Sequence, residues 1–287
     1  MAHSIRVLTW NIGSGNEVGR VDENSALPLI ADRIGEQMPD LVLLNQVRHW
    51  NGDYFGGLNQ TDELMTLTQM PYGRWGRTTR VGVAGFEAAA VMSNWPLGDA
   101  TIHPIPAPYP APEFEAHAIL QTSVVVEGKT HHVFSLRLNP VKVEEQLGGL
   151  NVLRRLIESL PPDDGVIVGG DFGCHVGDGH FDDFAAHAGL RSPALEKPDK
   201  SPCQPNHPPV DHILFRGDYV VRHYARRCNQ PNPSDHPWVT VELRPPPASK
   251  SRLWCGTTVL TGVSLLAGAS LLAVGATLRQ RGSLRGH

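Results

Sequence analysis

Short apolar runs, each bounded by Gly, Pro or Asn, dominate the first 244 residues. Residues 5–11, 40–44, 87–92, 116–126, 131–138, 165–169, 210–215, 219–225 and 238–243 are rich in β-branched or aromatic side chains and read as strands. Helical spacing is rarer. Residues 25–37 place Leu27, Ile30, Ala31 and Ile34 on one face, and residues 143–160 do the same with Val143, Leu147, Leu150, Leu153, Ile157 and Leu160. Residues 61–70 form a third, shorter helical candidate. Many strands and few helices predict two sheets packed face to face with helices outside.

Beyond residue 244 the pattern changes. Residues 245–252 begin with three consecutive prolines, which neither a strand nor a helix continues, so they read as a stiff linker. Residues 253–278 carry no charge at all. As a helix this run would extend about 39 Å at ~1.5 Å per residue, enough to cross a hydrocarbon core of roughly 30 Å with some tilt. Trp254 sits at one end, where an interface anchor belongs. The expected organisation is a folded domain over residues 1–244, the linker 245–252, a transmembrane helix 253–278 and a basic tail 279–287. Arginines flank both ends of the apolar run, so charge does not orient it. The first residues lead straight into a strand rather than a secretory signal, which favours a cytoplasmic domain on a single-pass C-terminal anchor.

Composition narrows the classes. The 287 residues are 40% hydrophobic and 19% charged, which excludes a wholly disordered chain, a fibre and a multi-span membrane protein. The net charge of −4 supplies no bulk field for nucleic acid, although a nucleic-acid partner is not excluded by it. The cysteines, Cys174, Cys203, Cys228 and Cys255, form no CxxC pair, so a zinc ribbon is not expected. Free thiols are the default, with a Cys174–Cys203 pairing reserved for an oxidising compartment. His175, His180, His207 and His212 read as loop or surface histidines.

Polar residues collect where strands end. Asn11 closes the first strand, Asn45 and Gln46 follow the second, Arg137 ends the strand of Val133 and Phe134, and Asp171 follows Gly169-Gly170. Asp211 opens a later strand, and Ser234-Asp235-His236 precedes the last. Polar groups converging at one rim of a sheet are how a rigid scaffold presents a site.

In this order the motifs resemble those of the endonuclease/exonuclease/phosphatase superfamily of metal-dependent phosphoesterases. Residues 7–12 are similar to its first motif, and residues 40–47 to DVLxLQEV. Residues 90–97 are similar to AVLSRYPI, 134–140 to NTHLxP, 170–173 to GDFN, 211–213 to IDYI and 234–236 to SDH. The resemblance spans residues 5–243. It implies an α+β fold of two packed, mostly antiparallel β-sheets flanked by helices, a four-layer α/β/β/α sandwich, here followed by one transmembrane helix. It also implies Mg²⁺ or Mn²⁺ among Asn11, Gln46 and Asp235, with Arg137 on the phosphate. His236 would face the phosphate, Asp211 would hold its ring protonated, and Asp171 would orient or deprotonate the attacking water.

Three positions depart from the pattern. Gln46 stands where the family has a metal-binding glutamate, removing a full charge and weakening the expected metal affinity. Glu17 or Asp22 is a candidate to supply it. Arg137 replaces a histidine with a forked, permanently charged donor. Gly173 replaces the asparagine of GDFN, whose donor a backbone N–H or nearby side chain would have to replace. Two functions of different class follow. One is a membrane-tethered, metal-dependent phosphoester hydrolase of phosphodiesterase, nuclease or phosphatase type. The other is a catalytically degenerate relative that binds a phosphorylated ligand or serves as a membrane scaffold.

Overall fold

The computed structural model describes residues 3–15, 26–50, 59–81, 85–106, 117–139, 141–197, 209–228 and 233–246. The chain divides into the units Met1–Pro247 and Ala248–His287, and the second lies outside the described residues, as do most of the linker, the apolar run 253–278 and the basic tail. Among the described residues no helix is long and apolar enough to cross a membrane.

Among the described residues eleven strands build two sheets. They are β1 (Ile5–Asn11), β2 (Leu41–Trp50), β3 (Tyr72–Val81), β4 (Gly85–Ser93), β5 (Thr101–Pro104), β6 (Ala118–Val126), β7 (Lys129–Arg137), β8 (Gly165–Asp171), β9 (Asp211–Arg216), β10 (Val220–Arg227) and β11 (Trp238–Arg244). One sheet runs β10-β11-β1-β2-β4-β3 and the other β5-β6-β7-β8-β9. Each is antiparallel except for one parallel pair near its centre, β1–β2 and β7–β8. A parallel pair needs a crossover. The helices α1 (Leu27–Gln37) and α3 (Val143–Glu158) supply the two crossovers, and the described residues also form α2 (Gln60–Thr68), α4 (Gly179–His187) and α5 (Pro193–Glu196).

The central strands are buried on both faces, and their period of two sorts side chains between layers. Ile5, Val7, Leu41, Leu43, Val133, Ile167 and Val239 meet between the sheets. Leu8, Trp10, Val42, Leu44 and Trp238 point the other way and pack with Leu27, Ile30 and Ile34 of α1. On the far side Phe134, Leu136 and Val168 meet Leu150, Leu153 and Ile157 of α3 and Phe181 of α4. Three apolar layers between four structural ones confirm the expected sandwich.

The elements that the hydrophobic pattern missed lie at edges. Among the described strands β3 pairs only with β4, and it reads YGRWGRTTRV, with too few apolar positions to show a period. β5 is four residues long and, among the described strands, pairs only with β6. α4 buries only Phe181 and Phe184 among its described residues, with Ala185 packed partly against the same cluster.

The cysteine and histidine expectations need correction. Cys174 is a free, buried thiol, in line with the default expectation, and burial pushes its pKa up to about 12. Cys228, by contrast, is disulfide-bonded, against the free-thiol expectation. His212 is not a surface residue. It lies in β9, 2% exposed, against Phe172 and Phe181, with Nε2 2.9 Å from the Cys174 carbonyl. Strand alternation turns it toward the α3/α4 layer, and desolvation lowers its pKa to about 4.

Candidate active site

The site arises from one change along the inward-facing rows. In β1 the inward positions run Ile5, Val7, Thr9, Asn11; in β2, Leu41, Leu43, Asn45; in β7, Val133, Ser135, Arg137; in β8, Ile167, Gly169, Asp171. Each row begins apolar and ends polar at the strand's C-terminal end. Register aligns those ends, Asn11 with Asn45, and Arg137 with Asp171 and Asp171 with Asp211. Polar side chains from both sheets therefore face one another at one rim of the inter-sheet layer, outside the carboxyl ends of the parallel pairs.

The sheets approach closely beneath this rim. A Cβ on Gly169 would sit 3.0 Å from Leu43 Cδ2 and 3.1 Å from Thr9 Cβ. At Gly170, φ is +153° and a Cβ would come within 1.9 Å of the Leu136 carbonyl oxygen, so only glycine fits before Asp171. Asn45 clamps the two sheets. Its Oδ1 accepts from the Asp171 N–H at 3.2 Å, its Nδ2 donates to Ser135 Oγ at 3.2 Å, and its carbonyl accepts from Ile12 N–H at 3.1 Å.

Asp171, 2% exposed, is held from every side. Asn11 Nδ2 donates to its Oδ2 at 3.2 Å, and the Gly173 N–H donates to its Oδ1 at 3.0 Å. Arg137 Nε lies 3.6 Å and His236 Nε2 3.9 Å from the same Oδ2. Gly173 has φ +62°, a region that asparagine also tolerates, so its backbone keeps the form the family's asparagine would take. Its N–H is engaged by Asp171 and does not replace the lost side-chain donor.

His236 is positioned from below. Ser234 Oγ donates to the Asn11 carbonyl at 2.7 Å and accepts from the His236 N–H at 3.1 Å, while Trp10 Nε1 donates to the His236 carbonyl at 3.0 Å. Its Nδ1 lies 2.9 Å from Asp211 Oδ2, and Nε2 faces Asn11 Nδ2 at 3.4 Å. Burial opposes charge on the ring, but the Asp211 hydrogen bond and the charges of Asp211, Asp171 and Asp235 outweigh it and raise the pKa to about 9. Burial also pushes the Asp211 carboxyl upward, and His236 pulls it partly back. An imidazolium beside a buried carboxylate is the result at neutral pH.

Gln46 lies across the rim. It occupies a β-bulge between Leu44 and Val47 with φ +53°, a left-handed conformation that few side chains adopt. Its Nε2 donates to Glu87 Oε1 at 3.2 Å, and Glu87 Oε1 also accepts from Ser14 Oγ at 2.9 Å. Asp235 is exposed and lies above Gly13, whose Cβ would meet its Oδ1 at 3.7 Å. Asn45, Gln46, Glu87, Thr79, His117 and Arg137 line a narrow cleft of about 10 Å³. His117, half-buried ahead of β6, has its pKa lowered by burial and then by Arg137, against the pull of Glu145, Glu87 and Asp171.

Among the described residues, Asp211 Oδ1 and Arg137 Nε have no hydrogen-bond partner, the latter reaching only the 3.6 Å ion pair with Asp171. An orphan acceptor and an orphan donor in one pocket suit a ligand that brings both positive and negative charge. One atom from each of Asp171, Asp211 and His236 also lies within 4.8 Å of the others, a grouping able to hold a metal ion once the His236 ring gives up its proton. The donor set is oxygen-rich, which fits a hard divalent cation.

A sequence profile of the Endonuclease/Exonuclease/phosphatase family matches residues 8–236. The chain belongs to that family. Members of the endonuclease/exonuclease/phosphatase family depend on a divalent metal, and the Asp171–Asp211–His236 group accords with that. Solved structures share the fold. An endonuclease/exonuclease/phosphatase from Beutenbergia cavernae DSM 12333 superposes with a TM-score of 0.67 at 21% identity, over 84% of this chain and 71% of that one. The human Nocturnin catalytic domain with bound sulfate gives 0.64 at 18% identity, over 85% and 95% of the two chains. A mannosyl-6-phosphatase of Bacteroides thetaiotaomicron VPI-5482 gives 0.61 at 15% identity, over 83% and 99%. No curated protein matches the sequence.

The structure brings Asn11, Arg137, Asp171, Asp211 and His236 to one pocket, with Gln46 and Asp235 at its rim. Glu17 and Asp22 lie outside the described residues. Sequence reasoning noted Asn45 at a strand end without giving it a role, and missed Glu87 and His117. Asn45 carried a signal, as the polar neighbour of Gln46 at a strand end. Glu87 and His117 carried none, because only strand pairing and sheet packing bring them to the rim.

Proposed function

We propose that this chain is a divalent-metal-dependent phosphoester hydrolase, tethered to a membrane by residues 253–278 with its folded domain, residues 1–244, in the cytoplasm. The observation that carries the hydrolase reading is the meeting of the Asp211–His236 pair, Asp171 and the orphaned Arg137 Nε within one pocket. Arg137 and the His236 imidazolium offer donors to the non-bridging oxygens of a phosphoryl group, where charge builds during displacement. Asp171 is the buried carboxylate nearest both, in position to orient a water and take its proton. Asp211 keeps the ring charged and correctly turned. Asn11, Gln46 and Asp235 would hold Mg²⁺ or Mn²⁺, which supplies further charge compensation to the phosphoryl oxygens. The membrane reading rests on the uncharged run alone.

The test uses the full-length chain with bis-p-nitrophenyl phosphate and p-nitrophenyl phosphate, each with Mg²⁺ or Mn²⁺. Metal-dependent turnover that falls at least 100-fold in His236→Ala supports the reading. No turnover, with inorganic phosphate still bound through Arg137, makes the chain a phosphate-ligand binder instead. The same preparation should sediment with membranes, and recovery in the detergent-free supernatant would remove the tether.

A further inference from the structure

The position that departs most from the family is Gln46, and the structure puts a carboxylate directly behind it. Glu87, at the start of β4, is 9% exposed, and its acceptors are filled only by neutral donors. Gln46 Nε2 donates to Oε1 at 3.2 Å and to Oε2 at 3.4 Å, and Ser14 Oγ donates to Oε1 at 2.9 Å. Among the described residues no Lys or Arg forms an ion pair with Glu87.

Three features connect this pair to the rest of the rim. A carboxylate only accepts, so the Gln46 amide must present its NH₂ to Glu87 and turn Oε1 away, and among the described residues that Oε1 has no hydrogen bond. The bulge and the left-handed backbone at Gln46 set this orientation. Ser14 belongs to the 3₁₀ turn Gly13–Gly15, whose Gly13 N–H donates to Asn11 Oδ1 at 3.1 Å and whose Gly13 Cα lies under Asp235. One three-residue turn thus joins Glu87 and Gln46 to the other two expected cation ligands.

We propose that Glu87 is a positioning residue of the cation site: it supplies the negative charge that position 46 lacks and holds the Gln46 amide with Oε1 toward the ion. The inference rests on the metal-dependent reading above. A carboxamide oxygen is a weaker ligand than a carboxylate, but an amide whose N–H is bound to a carboxylate carries more negative charge on its oxygen. The pair divides between two strands the work of one glutamate, with Gln46 reaching the ion and Glu87 providing the charge.

The experiment titrates full-length protein with Mn²⁺ and Mg²⁺ by calorimetry and follows the metal-induced rise in Tm. Glu87→Gln should bind Mn²⁺ about 10–100-fold more weakly, the range for loss of a partner behind a metal ligand, with a metal-free Tm close to the parent's. The swap Gln46→Glu with Glu87→Gln keeps the hydrogen bond and the net charge and should bind at least as tightly as the parent. Unchanged affinity in Glu87→Gln overturns the proposal, as does a swap that fails to recover binding, because a purely structural Glu87 would behave so. Should Glu87→Gln not fold, the swap decides alone by the same criterion. Parent protein that binds neither ion also overturns it. Parent protein that binds metal through this pair but turns over no phosphoester leaves the proposal standing and removes the hydrolase reading.

Discussion

Replacing Asn45 with alanine tests whether one buried amide clamps the two sheets under the site. Asn45 is 1% exposed, its Oδ1 accepts from the Asp171 N–H at 3.2 Å, and its Nδ2 donates to Ser135 Oγ at 3.2 Å. In Asn45→Ala the Asp171 N–H stays buried without an acceptor, at about 1–3 kcal/mol, and the bond to Ser135 is lost at about 1 kcal/mol. Ser135 itself remains satisfied, since its hydroxyl donates to the Leu44 carbonyl at 3.0 Å. The loss should total about 2–4 kcal/mol, which lowers Tm by about 5–15 °C for a domain of this size. Scanning calorimetry and urea unfolding of metal-free protein measure it. Function should suffer beyond stability. Asp171 loses one of the groups that fix its backbone, and a displacement of about 1 Å is enough to cost roughly 100-fold in turnover at a temperature where the variant is fully folded. A loss below about 1 kcal/mol with unchanged turnover would refute the reasoning, because the sheets would then be registered by the apolar layer without the amide.

Two other outcomes follow from the same structure. Gly170→Ala should abolish folding or shift β8, because its Cβ would lie 1.9 Å from the Leu136 carbonyl oxygen at φ +153°; soluble protein with parental Tm contradicts this. His49, packed against Trp75 and Phe86 with Nε2 3.1 Å from Thr61 Oγ1, has its pKa lowered by burial from 6.5 to about 4. The unfolded chain therefore binds more protons between pH 6.5 and 4, so stability present above pH 6.5 is lost as pH falls through that window. The slope from this residue approaches ~1.4 kcal/mol per pH unit, and His49→Phe should flatten the measured stability–pH curve by that amount, whereas parallel curves for the two proteins would argue against a neutral buried ring.

The residues of the candidate site were legible in very different degrees. Asn11, Asp171, Asp211 and His236 stood out because each is a polar residue beside a strongly apolar strand, in an order shared with a known family. Arg137 and Gln46 stood out as exceptions to that order. Glu87 was invisible. It is the third residue of the strand GFEAAAVMS, and nothing local separates it from a solvent-facing edge acid. Its partner Gln46 lies 41 positions away and meets it only because β2 pairs antiparallel with β4 across a bulge. The left-handed backbone of Gln46 was equally hidden, since no glycine or asparagine marks it.

The sequence by itself determined the strands with apolar periodicity, the crossover helices α1 and α3, and the set of polar strand ends, because these follow from side-chain alternation within about ten residues. Only the tertiary structure decided which faces meet. Sheet pairing and packing turned Asp171, Asp211 and His236 toward one another and put His212 in the core. They also set Glu87 behind Gln46, because such contacts depend on register and on the close approach of two sheets at Gly169, and neither is written in any local stretch of the chain.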